Sequence, residues 1–332
     1  MKTLVTGANG FVGSAVMRTL LDADHEVRVL VRPNSDRRNL EKQPVEIVEG
    51  DLRDSDSLKR AVAGCENLFH VAADYRLWIP DPESMYKTNV GGTKALMLAA
   101  ADAGLKRIIY TSSVAVLGLE NHGNPSNEET PSSLENMTGD YKRSKFLAEQ
   151  AVDQLVTQHQ LPVVIVNPST PIGPRDVKPT PTGRIVLDTI CDRMPAYVNT
   201  GLNIVHVDDV ARGHLLAFEK GIIGQRYILG GENLTLLQIL EIIDDITGVK
   251  RKRVCLPHQL ILPVAWIMEI IAAITGIEPR ATVDSVRMAK KHMFFSSDKA
   301  VRELGYHYRP AREALQDAII WFQENGYCDR VK

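Results

Sequence analysis

The chain has 332 residues, 44% hydrophobic and 24% charged, ordinary values for a globular protein with room for one large or two modest domains. Its 39 Lys and Arg balance 41 Asp and Glu for a formal net charge of −2, which provides no basic field for nucleic acid, so no nucleic-acid partner is expected. The cysteines Cys65, Cys191, Cys255 and Cys328 make no C-x-x-C and no H-E-x-x-H occurs, so neither a metal site nor a disulfide framework is expected, and the thiols suit a reducing, cytoplasmic location.

The opening MKTLVTGANG does not read as a signal peptide, because its apolar run is short and breaks at a glycine. Strands are predicted at TLVTG (3–7), EVRVLV (26–31), VEIVEG (45–50), NLFHVAA (67–73), KRIIYTSS (106–113) and LPVVIVNP (161–168). Helices are predicted from Phe11 to about Leu21 and over 55–63, 83–103 and 141–159. Continuous Val and Ile runs separated by helices predict an α/β fold, a doubly wound Rossmann parallel sheet covered on both faces. Such a sheet places ligands at the carboxyl ends of its strands. The long polar stretch 118–139 lacks periodicity, and loops of that length are usually functional or disordered. STPIGPRDVKPTPTG (169–183) reads as a proline-rich crossing, NIVHVDDVARGHLLAFE (203–219) and QRYILGG (225–231) as a return to the sheet, and 232–332 as mostly helical. The expected division is a Rossmann domain of residues 1–170 plus about 204–231, with a smaller, mostly helical substrate domain from about 171–203 and 232–332. LILPVAWIMEIIAAITG (260–276) is short for a membrane span and is interrupted by Pro263 and Glu269. It is expected to be a buried helix or a lid over an apolar substrate, with peripheral membrane contact as the alternative.

TGANGFVG sets Gly7, Gly10 and Gly13 between a strand and a helix, with Asn9, Phe11 and Val12 in the same loop. The first glycine permits the tight turn, the second the close approach of a pyrophosphate, and the third helix–strand packing, with phosphates seated on the helix N-terminus. The second strand ends in Arg32, where NAD enzymes usually carry an acid, and Arg37 and Arg38 follow. An arginine there can pair with a 2′-phosphate, which favours NADP while leaving NAD open. Tyr141 and Lys145, in GDYKRSKFLAEQ, share a helix face. On their own they are as well explained by one charged surface turn.

TGANGFVG, GDL (50–52), HVAA (70–73), NVGGT (89–93), YTSS (110–113) and YKRSK (141–145) stand in the order found in the extended short-chain dehydrogenase/reductase family, the NAD-dependent epimerases and dehydratases, which this chain resembles over nearly its whole length. HVAADYRLWIPDPESMYKTNV (70–90) is most similar to the hopanoid-associated sugar epimerases, with dihydroflavonol-4-reductase-like and 3β-hydroxysteroid-dehydrogenase-like proteins as further relatives. The resemblance implies that Tyr141 is the acid–base residue, that Lys145 lowers its pKa and binds the nicotinamide ribose, and that Ser113 hydrogen-bonds the substrate oxygen. It implies that Asp51 and Leu52 flank the adenine, that Ala72 and Ala73 line the phosphate and ribose channel, that Ser112 contacts the cofactor, and that Pro168 and Ser169 meet the carboxamide. Asn89 matches the active-site asparagine, and Asp208 and Asp209 a helix cap. A homodimer through helices 83–103 and 141–159 is implied likewise. Two departures weaken a nucleotide-sugar substrate: SSVAVLG stands where SSATVYG is frequent, so that Ala115 and Leu117 replace a hydroxyl and a phenol, and the C-terminal R-x-G-D is absent. A small-molecule sugar or a lipid-linked substrate is expected, with Tyr75 and Trp78 at its mouth. Three functions follow: an NADP-dependent sugar-epimerase-like oxidoreductase tied to hopanoid lipids, a dihydroflavonol-reductase-like carbonyl reductase, or a non-catalytic NADP sensor.

Overall fold

The computed structural model describes every residue except 121–123, 277, 278, 280 and 329–332. Its strands are β1 (Lys2–Thr6), β2 (Glu26–Val31), β3 (Glu46–Glu49), β4 (Asn67–His70), β5 (Arg107–Thr111), β6 (Val163–Pro168), β7 (Thr170–Ile172), β8 (Ala196–Tyr197), β9 (Gly201–His206), β10 (Arg226–Leu229), β11 (Glu232–Thr235), β12 (Val254–Cys255) and β13 (His292–Met293). Its helices are α1 (Phe11–Asp22), α2 (Ser55–Val62), α3 (Pro82–Tyr86), α4 (Thr93–Asp102), α5 (Gly139–His159), α6 (Pro181–Ile190), α7 (Val207–Lys220), α8 (Leu236–Thr247), α9 (His258–Thr275), α10 (Val283–Met288), α11 (Asp298–Leu304) and α12 (Ala311–Glu324). A π-helical segment, Lys87–Gly92, joins α3 to α4.

Seven strands form one parallel sheet in the order β10-β6-β5-β4-β1-β2-β3. Its central strands are apolar at consecutive positions because successive side chains point to opposite, equally buried faces. Val5, Phe69, Ile109 and Val164 join a core with α1 and α7. Their neighbours Leu4, Leu68, Ile108 and Val163 join the opposite core with α2, α4 and α5. Fully burying one such side chain contributes about 1.5–3 kcal/mol. The strand order reverses between β1 and β4, which opens a crevice at their carboxyl ends.

The second layer departs from expectation at one strand. Of the segments predicted to return to the sheet, only β10 does so, beside β6. β9 instead heads a smaller sheet, flanked by β11, β13 and β7. Asn203 explains the preference, since its amide bonds Gly231 O at 2.9 Å, Asn233 Oδ1 at 2.7 Å and Phe295 O at 3.1 Å, and its oxygen accepts from Gly231 N at 2.7 Å. These partners lie only on the second layer. α6, α8 and α12 close that layer around Ile172, Ile204, Ile243 and Phe322.

Two further expectations are corrected. Cys191 and Cys328 are joined as a disulfide, Cα atoms 5.8 Å apart, because the end of α6 and the segment after α12 pack together. Cys65 and Cys255 are free. The apolar segment forms a helix, α9, but not a buried one, since only Ala265 and Ala272 on it are buried. The loop 118–139, of which 121–123 lie outside the described residues, is anchored by the pairing of Ser126 with Phe295 and by the Glu128 carboxylate, which accepts from Ile228 N at 2.8 Å.

Asn203 is 1% exposed, so truncation strands several buried polar groups. Asn203→Ala is expected to lower unfolding free energy by about 2–4 kcal/mol, read as an earlier urea midpoint with an unchanged far-ultraviolet spectrum.

Candidate active site

The crevice begins where β1 ends. Gly7 turns the chain with φ +76, and a Cβ there would lie 2.8 Å from Ala72 N and Ala72 Cα, so β1 and β4 meet backbone to backbone. Gly10 N bonds Gly7 O at 2.9 Å and closes the turn. α1 starts from Gly10 with no side-chain cap, which leaves its first N–H groups to a ligand. A Cβ on Gly13 would sit 2.1 Å from Gly7 O. Phe11 and Val12 pack against the α1 core, and Asn9 donates to Asp36 O at 3.2 Å. This backbone cradle suits a pyrophosphate.

The groups expected around the ribose and adenine are differently committed. Arg32 is exposed at the end of β2. Arg37 pairs with Glu49 on β3, so it is not a free phosphate ligand. Asp51 is chelated by Arg53 at 2.9 and 2.8 Å, whose bonds hold its carboxyl below the usual range, with Arg32 adding to the effect. Leu52 is buried behind it, and a Cβ on Gly92 would meet Leu52 Cβ at 2.7 Å. Ala72 and Ala73 line the far side, half-buried. Ala72 N donates to Thr6 Oγ1 at 3.2 Å, and Thr6 Oγ1 lies 2.8 Å from His70 Nδ1. His70 Nε2 lies 2.9 Å from Thr93 Oγ1. Burial, with a smaller contribution from the Lys145 charge, lowers the His70 pKa to about 3, so this clamp is neutral.

The ends of β5 and α5 bring Ser113, Tyr141 and Lys145 together. Ser113 caps a short 3-10 turn, its Oγ accepting from Ala115 N at 3.1 Å. That bond occupies a lone pair and leaves the O–H to donate. Burial raises the Tyr141 pKa above its usual value, and the Ser113 hydrogen bond opposes the rise. Lys145 is 3% exposed. Its Nζ donates to Thr111 O at 2.9 Å and Tyr110 Oη at 3.3 Å, and burial lowers its pKa to about 8 while the Glu149 charge resists. The ammonium is therefore desolvated one helical turn from the phenol, the arrangement that makes a phenolate accessible once further charge enters. At the end of β6, Pro168 is buried, and Ser169 Oγ and Ser112 Oγ are buried without partners among the described residues. Two buried orphan hydroxyls beside a glycine cradle fit a dinucleotide whose polar end reaches β5 and β6.

Asn89 is linked to Tyr141 through Ser144, whose hydroxyl donates to Tyr141 O at 2.9 Å. Its oxygen accepts from Asp74 N at 2.7 Å, and its amide donates to Asp74 O at 2.8 Å and Ser144 Oγ at 3.0 Å. It thus ties the loop after β4 to α5. On that loop Tyr75 is exposed, Trp78 half-buried, and Arg76 chelates Asp74. The α7 cap is His206, accepting from Asp208 N, whereas Asp209 pairs with Arg309 at 2.9 Å, so the two aspartates do not cap the helix.

Sequence reasoning missed a supporting row. Arg226 pairs with Glu149 at 3.0 Å, Glu149 accepts from Asn167 at 3.0 Å, and the same Asn167 amide donates to Ser113 O at 3.1 Å. The one available signal was Glu149, four residues beyond Lys145 on the same face of α5.

Residues 3–230 match the model of the NAD dependent epimerase/dehydratase family. The chain is 46% identical to the putative dihydroflavonol 4-reductase of Synechocystis sp., covering 97% of this chain and 95% of that protein. It is 37% identical to sterol demethylase protein B of Methylococcus capsulatus, covering 98% and 99%. The crystal structure of gox2253 superposes with a TM-score of 0.89 at 56% identity, covering 98% and 99%.

The 2.1 Å approach of a Gly13 Cβ to Gly7 O is to rigid backbone. Gly13→Ala is expected to weaken NADP binding at least about tenfold, because helix and turn must separate where the phosphates sit. Fluorescence titration with NADPH reads this out, and unchanged affinity would refute the cradle.

Proposed function

The chain belongs to the NAD dependent epimerase/dehydratase family, NAD(P)-dependent enzymes, and within it we propose that it moves hydride between NADP and a carbinol or carbonyl carbon, with Tyr141, Lys145 and Ser113 as the working groups. The observation that carries this reading is the Ser113 hydroxyl acting on the buried Tyr141 phenol, one helical turn from the buried Lys145 ammonium. When bound, the nicotinamide donates or accepts the hydride. Tyr141 gives a proton to the substrate oxygen, or takes it in the reverse direction. Ser113, its proton freed by the Ala115 bond, polarises the same oxygen. Lys145 favours the phenolate and reaches toward the ribose. Asn89 acts as a positioning residue through Ser144, as Glu149 and Asn167 do through Ser113.

In this reading residues 1–170 with about 204–231 hold the nucleotide, and about 171–203 with 232–332 hold the substrate. The substrate is a lipid-linked sugar or similarly bulky apolar molecule of hopanoid metabolism, handled in the epimerase manner of oxidation, rotation and return of hydride. Ala115 and Leu117, both buried, replace polar sugar contacts. The second reading, net reduction of a carbonyl, is favoured by the likeness to the putative dihydroflavonol 4-reductase. Tyr75 and Trp78 border the substrate mouth. The enzyme works in the cytoplasm as a homodimer through α3, α4 and α5.

Screening candidate sugars and carbonyls with NADPH separates the two: epimerisation leaves absorbance unchanged while isomers interconvert, and reduction consumes NADPH in proportion to product. With any turnover in hand, Tyr141→Phe should lower the rate about 10²–10⁴-fold with NADP affinity intact. Lys145→Met should lower both rate and affinity, and Ser113→Ala the rate alone. Tyr141→Phe with near-parental activity would defeat the proposal.

Arg32, exposed beside the crevice, is read as the 2′-phosphate ligand. Arg32→Ala should narrow the preference for NADP over NAD by about 1–3 kcal/mol, measured by titrating both nucleotides against both proteins. Equal parental affinities would remove this assignment.

A further inference from the structure

We propose that α9 is a membrane-docking helix that seats the protein on the surface of an anionic bilayer. α9 is fastened to its own chain along a narrow stripe. Ala265 and Ala272 are buried on it, and Glu269 Oε1 turns inward to accept from Val283 N of α10 at 2.8 Å. Ile261, Leu262 and Met268 flank this stripe half-buried, and the face away from it is largely apolar and open to solvent: Leu260 is 64% exposed, Trp266 61%, Ile267 53% and Ile274 80%. On a 100° helical wheel Leu260, Ile267 and Ile274 stand opposite the Ala265–Ala272 stripe, with Pro263, Ile270 and Ile271 to either side. A helix on a water-facing surface carries its charged residues there, and α9 carries none outward.

Charge selects the occupant. His258, at the start of α9, has Nε2 2.9 Å from Ala289 O, which brings the exposed Lys290 and Lys291 to this end. Lys250 and Lys252, also exposed, precede the same end in the chain, whereas the intervening Arg251 and Arg253 are turned onto Asp244. An apolar face with lysines gathered at its edge matches acyl chains beneath anionic headgroups. A second copy of the chain would need only the narrow seam of Leu260, Ile267 and Ile274 and would leave Trp266 and Val264 uncovered. The helix is long and apolar enough by composition to cross a bilayer, but Glu269 ties it to α10 and its alanine stripe is already buried in its own chain. It therefore lies on the surface. α10 also reaches the catalytic helix, since a Cβ on Gly139, two residues before Tyr141, would meet Asp284 Oδ2 at 3.0 Å. The docked face is thus one helix away from the start of α5. Docking does not depend on the hydride-transfer reading, whose failure would leave it untouched.

Co-sedimentation of the full chain with phosphatidylcholine vesicles, with and without about 30% phosphatidylglycerol, tests this. The parent is expected to sediment with the anionic vesicles and to stay in solution with the neutral ones. Ile267→Glu with Ile274→Glu should abolish sedimentation. Lys290→Glu with Lys291→Glu should weaken it at least about fivefold per lysine. Both pairs alter exposed side chains, so thermal midpoint and NADP affinity should match the parent. A parent that ignores anionic vesicles, or binds neutral ones equally, overturns the proposal. So does a glutamate pair that binds like the parent, or one that instead splits a dimer into monomers in ultracentrifugation.

Discussion

The site depends on how closely the first turn of the chain approaches the fourth strand. Gly7 touches the backbone at Ala72, and Gly13 packs onto the carbonyl of Gly7. No side chain fits between them, so β1, β4 and the start of α1 form one rigid corner with its amide groups bare. The neutral Thr6–His70–Thr93 chain braces that corner from below without placing a charge under incoming phosphates. Burial among apolar neighbours disfavours a protonated imidazole at His70, which keeps the clamp neutral.

α5 places its polar side chains by the same economy. Tyr141, Lys145 and Glu149 recur at four-residue intervals, so a single helix face carries the phenol at the crevice, with the buried ammonium and carboxylate one and two turns on. Each is answered from the sheet: Tyr141 by Ser113, Lys145 by Thr111 and Tyr110, Glu149 by Asn167 and Arg226. The buried charges of Lys145 and Glu149 partly compensate one another, as the opposed effect of Glu149 on the lysine requires.

Much of this was legible in the sequence because it is local. Strands from Lys2 to Pro168 follow from unbroken apolar runs, and the glycine spacing marks the corner before any coordinates. What could not be read was set by partners distant in the chain. Nothing near Arg37 announces Glu49, twelve residues on, as its partner in preference to a ligand. β9 reads as a strand for the main sheet, and only the contacts of Asn203 with Gly231, Asn233 and Phe295 assign it elsewhere. α9 reads as a core helix by hydrophobicity alone. Its exposure results from the small area that α10 offers it, which no periodicity encodes.

The π-helical segment Lys87–Gly92 carries one residue more than the α-helices on either side would need. Asn89 lies within it and reaches both Asp74 and Ser144. Removing a single residue there would let α3 and α4 merge into one regular helix, rotating everything on one side by about 100°. Asn89 would keep its chemistry and lose its address. The loop after β4 would then lose its tie to α5 while each helix kept its own hydrogen bonds, so the register of this one irregular turn holds two distant parts of the crevice in step.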